Sequence, residues 1–157
     1  MSNIVAIVGR PNVGKSTFFN RLVEKRQAII DDESGVTRDR HYGISEWNGK
    51  SFTVIDTGGY VENTDDIFEN KIKAQVILAL KEASIILFMV DCRGGLSSMD
   101  IDFSKILRQI DKDIIIVANK ADNKDAELNS SEFYELGLKM FLLFQFHLLV
   151  GQELENF

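Results

Sequence analysis

Near the start of this 157-residue chain, two glycines, a lysine and two hydroxyls sit close together in Gly9-Arg10-Pro11-Asn12-Val13-Gly14-Lys15-Ser16-Thr17. Glycines at this spacing let the backbone curl until its N–H groups point inward, and a helix starting just beyond adds partial positive charge. Such a curl holds phosphate oxygens. Lys15 would bring a full charge to the outer phosphates, and the Ser16 hydroxyl could serve a magnesium ion that keeps water and phosphate as its other ligands. The flanks suit this chemistry: the apolar run Ile4 to Val8 precedes the loop, and a helical stretch carrying Phe18, Phe19, Leu22 and Val23 follows it.

Two further segments also end apolar runs. Asp56-Thr57-Gly58-Gly59-Tyr60 follows Phe52 to Ile55, at the strand edge where open α/β sheets bind ligands. The Asp56 carboxylate is expected to hold the magnesium through a water, and the Gly59 N–H to meet a terminal phosphate present only before hydrolysis. Asn119-Lys120-Ala121-Asp122 follows Ile114 to Ala118. The Asp122 carboxylate offers two acceptors to a pair of parallel N–H donors, which guanine carries and adenine lacks, so a guanine nucleotide is expected. Asn119 would tie the base segment to the phosphate loop, and the Lys120 stem would lie along the ring.

These segments need a sheet to carry them. The short Ile- and Val-rich runs Ile4 to Val8, Phe52 to Ile55, Ile85 to Val90 and Ile114 to Ala118 predict buried, mostly parallel strands. Between them, Ile72, Val76, Ala79, Leu80 and Ala83, and then Met99, Phe103, Ile106, Leu107 and Ile110, recur at helical steps and predict apolar stripes facing that sheet. Trp47-Asn48-Gly49-Lys50 is a hairpin signal, which turns one edge strand antiparallel. The expected fold is α/β: the three-layer P-loop NTPase architecture, with a mostly parallel sheet, one antiparallel edge strand and helices on both faces. Asn129 and Glu132 read as an N-cap with its capping-box partner, and Gly137 as the left-handed end of that helix.

Composition removes other classes. Eighteen Lys and Arg against 24 Asp and Glu leave a net charge of −6, which disfavours gripping nucleic acid by overall charge. The single Cys92 allows neither an internal disulfide nor a cysteine metal cluster. With no signal-peptide pattern and no apolar run of spanning length, the expected setting is the cytoplasm, without membrane contact.

In this order, each at a strand end, the segments resemble the translation-factor-like small GTPases. More narrowly, Gly9 to Ser16, Gly35-Val36-Thr37-Arg38-Asp39 and Asp56 to Tyr60 resemble the first GTPase domain of the bacterial double-GTPase family Der (EngA), from about Ser2 to Leu138. The resemblance implies bound GTP or GDP and a magnesium ion held by Ser16, Thr37 and Asp56, with Thr37 as the first-switch threonine. It also implies a role in assembling the large ribosomal subunit, met through parts of a longer protein. Tyr60 stands where Ras-type enzymes carry a water-orienting glutamine. Relatives with such a residue use potassium, and Asn12 is the matching ligand. The catalytic set expected is then Lys15, Thr37, Gly59 and Asn12, with Arg38 outside it.

After Leu138 the character changes. Lys139 to Phe157 holds three charged residues and four of the 11 Phe, is apolar enough to pair as a strand, and lacks the Ser-rich base-contacting loop of the family. The expected division is a GTP-binding domain over 1–138 and an atypical segment over 139–157, for which a reading-frame slip near Lys139 is one account. Two functions compete: a hydrolysing switch, and a nucleotide-binding module with little or no hydrolysis. An ATPase of the same fold would require ignoring Asn119 to Asp122.

Overall fold

The computed structural model describes residues 3–23, 41–57, 74, 76–120 and 124–142. In chain order these form β1 (Ile4–Val8), α1 (Lys15–Val23), β2 (His41–Trp47), β3 (Lys50–Asp56), a helix α2 over residues 76–82, β4 (Ile85–Asp91), α3 (Ser98–Arg108), β5 (Asp113–Asn119), α4 (Lys124–Asn129), a 3-10 helix (Ser130–Leu136) and β6 (Lys139–Leu142).

The strands make one sheet in the order β2-β3-β1-β4-β5-β6. β1 lies parallel between β3 and β4, and β5 and β6 continue the parallel run. Only β2 opposes its neighbour, β3. Trp47 pairs with Lys50, and Asn48 (φ 49°) and Gly49 (φ 75°) both take the left-handed conformation that a two-residue hairpin turn demands. Because successive connections leave β1 toward opposite sides, its carboxyl end is the switch point at which open α/β sheets form a crevice.

Each face of the sheet carries its own core. On one, Ala6, Val8, Ile86, Phe88 and Ile116 pack with Val76, Ala79, Leu80 and Ala83 of the α2 region, Leu107 of α3 and Phe133. On the other, Ile7, Val54, Leu87, Met89 and Val117 pack with Phe18, Phe19 and Val23 of α1. The fold class and the α2 stripe therefore stand as read, with Ile72 outside the described residues.

The α3 stripe needs correction. Met99 and Ile106 are exposed, and the inward side carries Asp100, Ser104 and Leu107. Asp100 can sit there because it completes a capping box: its N–H donates to Ser97 Oγ (3.2 Å), and its Oδ2 accepts from the Ser97 N–H (2.9 Å). Asn129, read as an N-cap, is the last residue of α4, and a 3-10 helix follows it directly. The 3-10 helix beyond it, at three residues per turn, buries Ser130, Phe133 and Leu136 along one side. Glu132 instead accepts the Leu96 N–H (3.2 Å). Gly137 does end the element left-handed, at φ 71°.

Lys139–Leu142, the first four residues of the segment set apart by composition, pair with Ile115 to Ala118 of β5. The rest of that segment, 143–157, lies outside the described residues. Among the described residues no helix is long and apolar enough to cross a membrane.

Candidate functional site

Every described residue of the three motifs lies at the carboxyl end of β1, β3 or β5, so the ladder itself sets their spacing. Gly9 to Gly14 form the turn between β1 and α1, and the Phe18 N–H donates to the Gly14 carbonyl (3.0 Å) as the first turn of α1 closes. The Lys15 side chain curls back over this loop, donating to the Gly9 (2.8 Å) and Arg10 (2.7 Å) carbonyls. It is buried. Burial pushes its ammonium down to about 8, against the upward pull of the Asp56 carboxylate, while Arg10 adds to the lowering.

Ser16 Oγ donates to Asp56 Oδ2 at 3.0 Å across 40 residues of sequence. A hydroxyl and a buried carboxylate meeting beside a phosphate-type loop form a hard-oxygen pair of the kind magnesium takes. Thr57 is engaged differently: its hydroxyl donates to the Ile7 carbonyl (2.7 Å) and ties β3 to β1. Thr17, the next residue of α1, is exposed.

From β5, Asn119 Nδ2 donates to the Val13 carbonyl (2.9 Å), and Lys120 Nζ donates to the Asn12 carbonyl (3.2 Å). The base segment is thus laced to the phosphate loop. Asn12 (φ 67°) and Lys120 (φ 63°) are both left-handed, and Asn12 is exposed along with Pro11. Thr37, Gly58, Gly59, Tyr60, Ala121 and Asp122 lie outside the described residues, as does Gly35 to Asp39.

Gly14 has no alternative at its position. Its φ is 102°, and a Cβ there would stand 2.4 Å from Asn119 Nδ2. Gly14→Ala is expected to push Asn119 off the Val13 carbonyl and strain the turn, destabilising the fold by about 2–3 kcal/mol. Thermal melting should show Tm lowered by roughly 5–10 °C; an unchanged Tm would mean that the contact is loose.

Two acids missed in the sequence also belong here. Asp91, at the end of β4, meets Lys120 Nζ at 3.0 Å. Asp100, fully buried, places Oδ1 3.5 Å from Arg10 Nε. Asp91 offered a signal, since like Asp56 it closes a buried parallel strand. Asp100 offered another in the Ser97-x-x-Asp100 pattern of a capping box.

A glycine turn between the first strand and first helix, at the switch point of such a sheet and facing a carboxylate from the next parallel strand, defines a P-loop GTPase fold. The chain belongs to the 50S ribosome-binding GTPase family, which its residues 4–120 match. Within that family it is similar to GTPase Der of Amoebophilus asiaticus, 62% identical over 138 residues that make up 88% of this chain and 32% of that protein. GTPase Der of Cytophaga hutchinsonii is 64% identical over the same shares of the two chains. The chain thus spans about a third of the length of these relatives, and the resemblance to Der holds.

Among solved structures, a single-residue variant of Aquifex aeolicus Era bound to GDP.AlF4- superposes with a TM-score of 0.74 at 29% identity, covering 99% of this chain and 54% of that one. The FeoB G-domain from Methanococcus jannaschii shares the fold, with a TM-score of 0.63 at 24% identity over 99% of this chain and 94% of that one.

Proposed function

We propose that this chain is the GTP-binding and GTP-hydrolysing switch domain of a large-subunit ribosome-assembly GTPase, corresponding to the first GTPase domain of Der. It would depend on magnesium and be stimulated by potassium. The observation that carries the reading is the 3.0 Å contact of Ser16 with Asp56 beside the buried Lys15, which brings a metal-ligand pair and a phosphate-seeking cation to one point.

Phosphoryl transfer to water asks the protein mainly for positioning and charge. On nucleotide binding, Lys15 exchanges the Gly9 and Arg10 carbonyls for phosphate oxygens, while the loop N–H groups from Val13 to Ser16 surround the phosphates. Asn119 keeps the base segment against that loop, and Asp122 reads the guanine edge. Ser16, Asp56 and, by family resemblance, Thr37 would hold magnesium, which would supply charge neutralisation at the outer phosphates. Gly59 and Thr37 sense the terminal phosphate.

The exposed, left-handed Asn12 offers an amide oxygen of the hardness potassium takes, at the rim of the same loop. Hydrolysis is expected to run on the order of tenfold faster in potassium than in sodium chloride, the effect of one added cation on transition-state charge. Asn12→Ala should erase the difference. Equal rates of the parent in the two salts would remove Asn12 and potassium from the mechanism.

Partners are a guanine nucleotide and, through the rest of a longer protein, the ribosome. With a net charge of −6 the domain itself is not the part that holds RNA, and its setting is cytoplasmic. Calorimetric titration with GDP tests the binding. Phosphate release in a single turnover then separates a hydrolysing switch from a module that only holds nucleotide: saturable binding without release would leave the second.

A further inference from the structure

We propose that Asp91, at the carboxyl end of β4, is a positioning residue for the base-binding loop, holding the Lys120 side chain where a guanine ring must lie against it. The inference rests on the guanine-nucleotide reading above and assigns a role to a residue outside its three motifs.

Lys120 carries an unfavourable backbone. At φ 63° it is left-handed without being glycine, a conformation that persists only where the surroundings impose it. Its own side chain supplies the restraint. Nζ donates to Asp91 Oδ2 at 3.0 Å and to the Asn12 carbonyl at 3.2 Å, so the lysine stem is stretched between β4 and the phosphate loop. Asp91 pairs in register with Asn119, the residue before Lys120, so the sheet itself delivers the acid to the loop.

The acid is in turn fixed. Its Oδ1 accepts the N–H groups of Arg93 (2.8 Å) and Gly94 (3.3 Å), a local turn that orients the carboxylate with Oδ2 toward Lys120. Burial by itself would raise the Asp91 carboxyl, but the Lys120 ammonium and the Arg93 and Gly94 N–H groups outweigh it and hold the group below its ordinary range. The pair is only partly exposed, with 13% of the Asp91 and 24% of the Lys120 side chain accessible, so water competes weakly for it. A lysine anchored at its tip has few rotamers left, and ordering it before the nucleotide arrives removes that entropy from the binding step.

Asp91→Asn separates this role from a merely structural one, because asparagine keeps an oxygen for Arg93 and Gly94 and removes only the charge facing Lys120. The expected result is GDP binding weakened about tenfold, mainly through faster release, with Tm of the nucleotide-free protein within about 2 °C of the parent. Lys120→Met breaks the same pair from its other end, keeps the methylenes and should weaken GDP similarly. In the double variant the two losses should not multiply.

GDP affinity of Asp91→Asn within twofold of the parent, or losses that multiply in the double variant, would overturn the assignment while leaving the guanine-nucleotide reading intact. A parent chain that binds no GDP would overturn both.

Discussion

Lys15→Met is expected to abolish measurable GDP binding while leaving the nucleotide-free fold at least as stable as the parent. The two effects have opposite origins. An ammonium meeting phosphate oxygens makes charge-assisted hydrogen bonds, and their loss weakens affinity by on the order of 100-fold or more. In the nucleotide-free chain the same ammonium is a burden. A fall from 10.5 to about 8 corresponds to roughly 3 kcal/mol opposing the charged form in the fold. Methionine escapes that cost and forfeits two hydrogen bonds to the Gly9 and Arg10 carbonyls, each worth about 1 kcal/mol.

Proton linkage gives this expectation a sign. Below pH 8 the lysine is charged in both folded and unfolded chains, and its burial is fully unfavourable. Between about 8 and 10.5 the unfolded chain holds a proton that the folded chain has released, so the stability of the parent rises with pH across that window. The rise is absent from Lys15→Met. Urea unfolding of both proteins at pH 7 and pH 10 measures it, the difference between them isolating Lys15 from other titrating groups; parallel pH profiles would refute the account. Phosphate binding recharges the lysine, so above pH 8 the parent should also take up a proton as it binds GDP.

Asp56→Asn should be the next most damaging change, and its signature is selective. Asp56 is buried at the end of β3 and accepts from Ser16 Oγ, a contact that an asparagine oxygen can keep. Only the charge is lost. Single-turnover GTP hydrolysis is expected to fall on the order of 100-fold, since metal-borne stabilisation of the outer phosphates matters most in the transition state. GDP affinity should fall less, by about tenfold. Chelating magnesium with EDTA should then weaken GDP binding far less in the variant than in the parent. An undiminished EDTA effect would mean that Asp56 does not serve the metal.

Much of this arrangement is legible in the residue order, for a local reason. β4 and β5 are continuous apolar runs because a central parallel strand is covered on both faces, and the β2–β3 turn is written in two adjacent residues, Asn48 and Gly49. Ser16 and Asp56 each follow an apolar run, which is enough to bring them to one edge of the sheet, and there their side chains meet.

What escapes is what tertiary partners decide. Asp100 reads as a solvent-facing residue between the apolar positions Met99 and Phe103, and only Ser97 and Arg10 explain why it is buried while Met99 is not. Asn129 and Glu132 fit a capping box, yet Glu132 turns to the Leu96 N–H on a different loop. Asp91 belongs to no spaced motif, because its partner Lys120 lies on another strand's end, 29 positions later.

The central place of β1 has a consequence for biogenesis. Ile4 pairs with Thr53 and Val5 with Ile85, so during synthesis β1 waits for partners 49 and 80 residues downstream (53 − 4 and 85 − 5). Closing such long loops is slow, and until β4 is synthesised the Ile4–Val8 segment is an unsatisfied, adhesive edge. The phosphate loop hangs from that strand. The strand-end loops of β1, β3 and β5 therefore come together late in synthesis, and in that interval the exposed strand is open to misassembly.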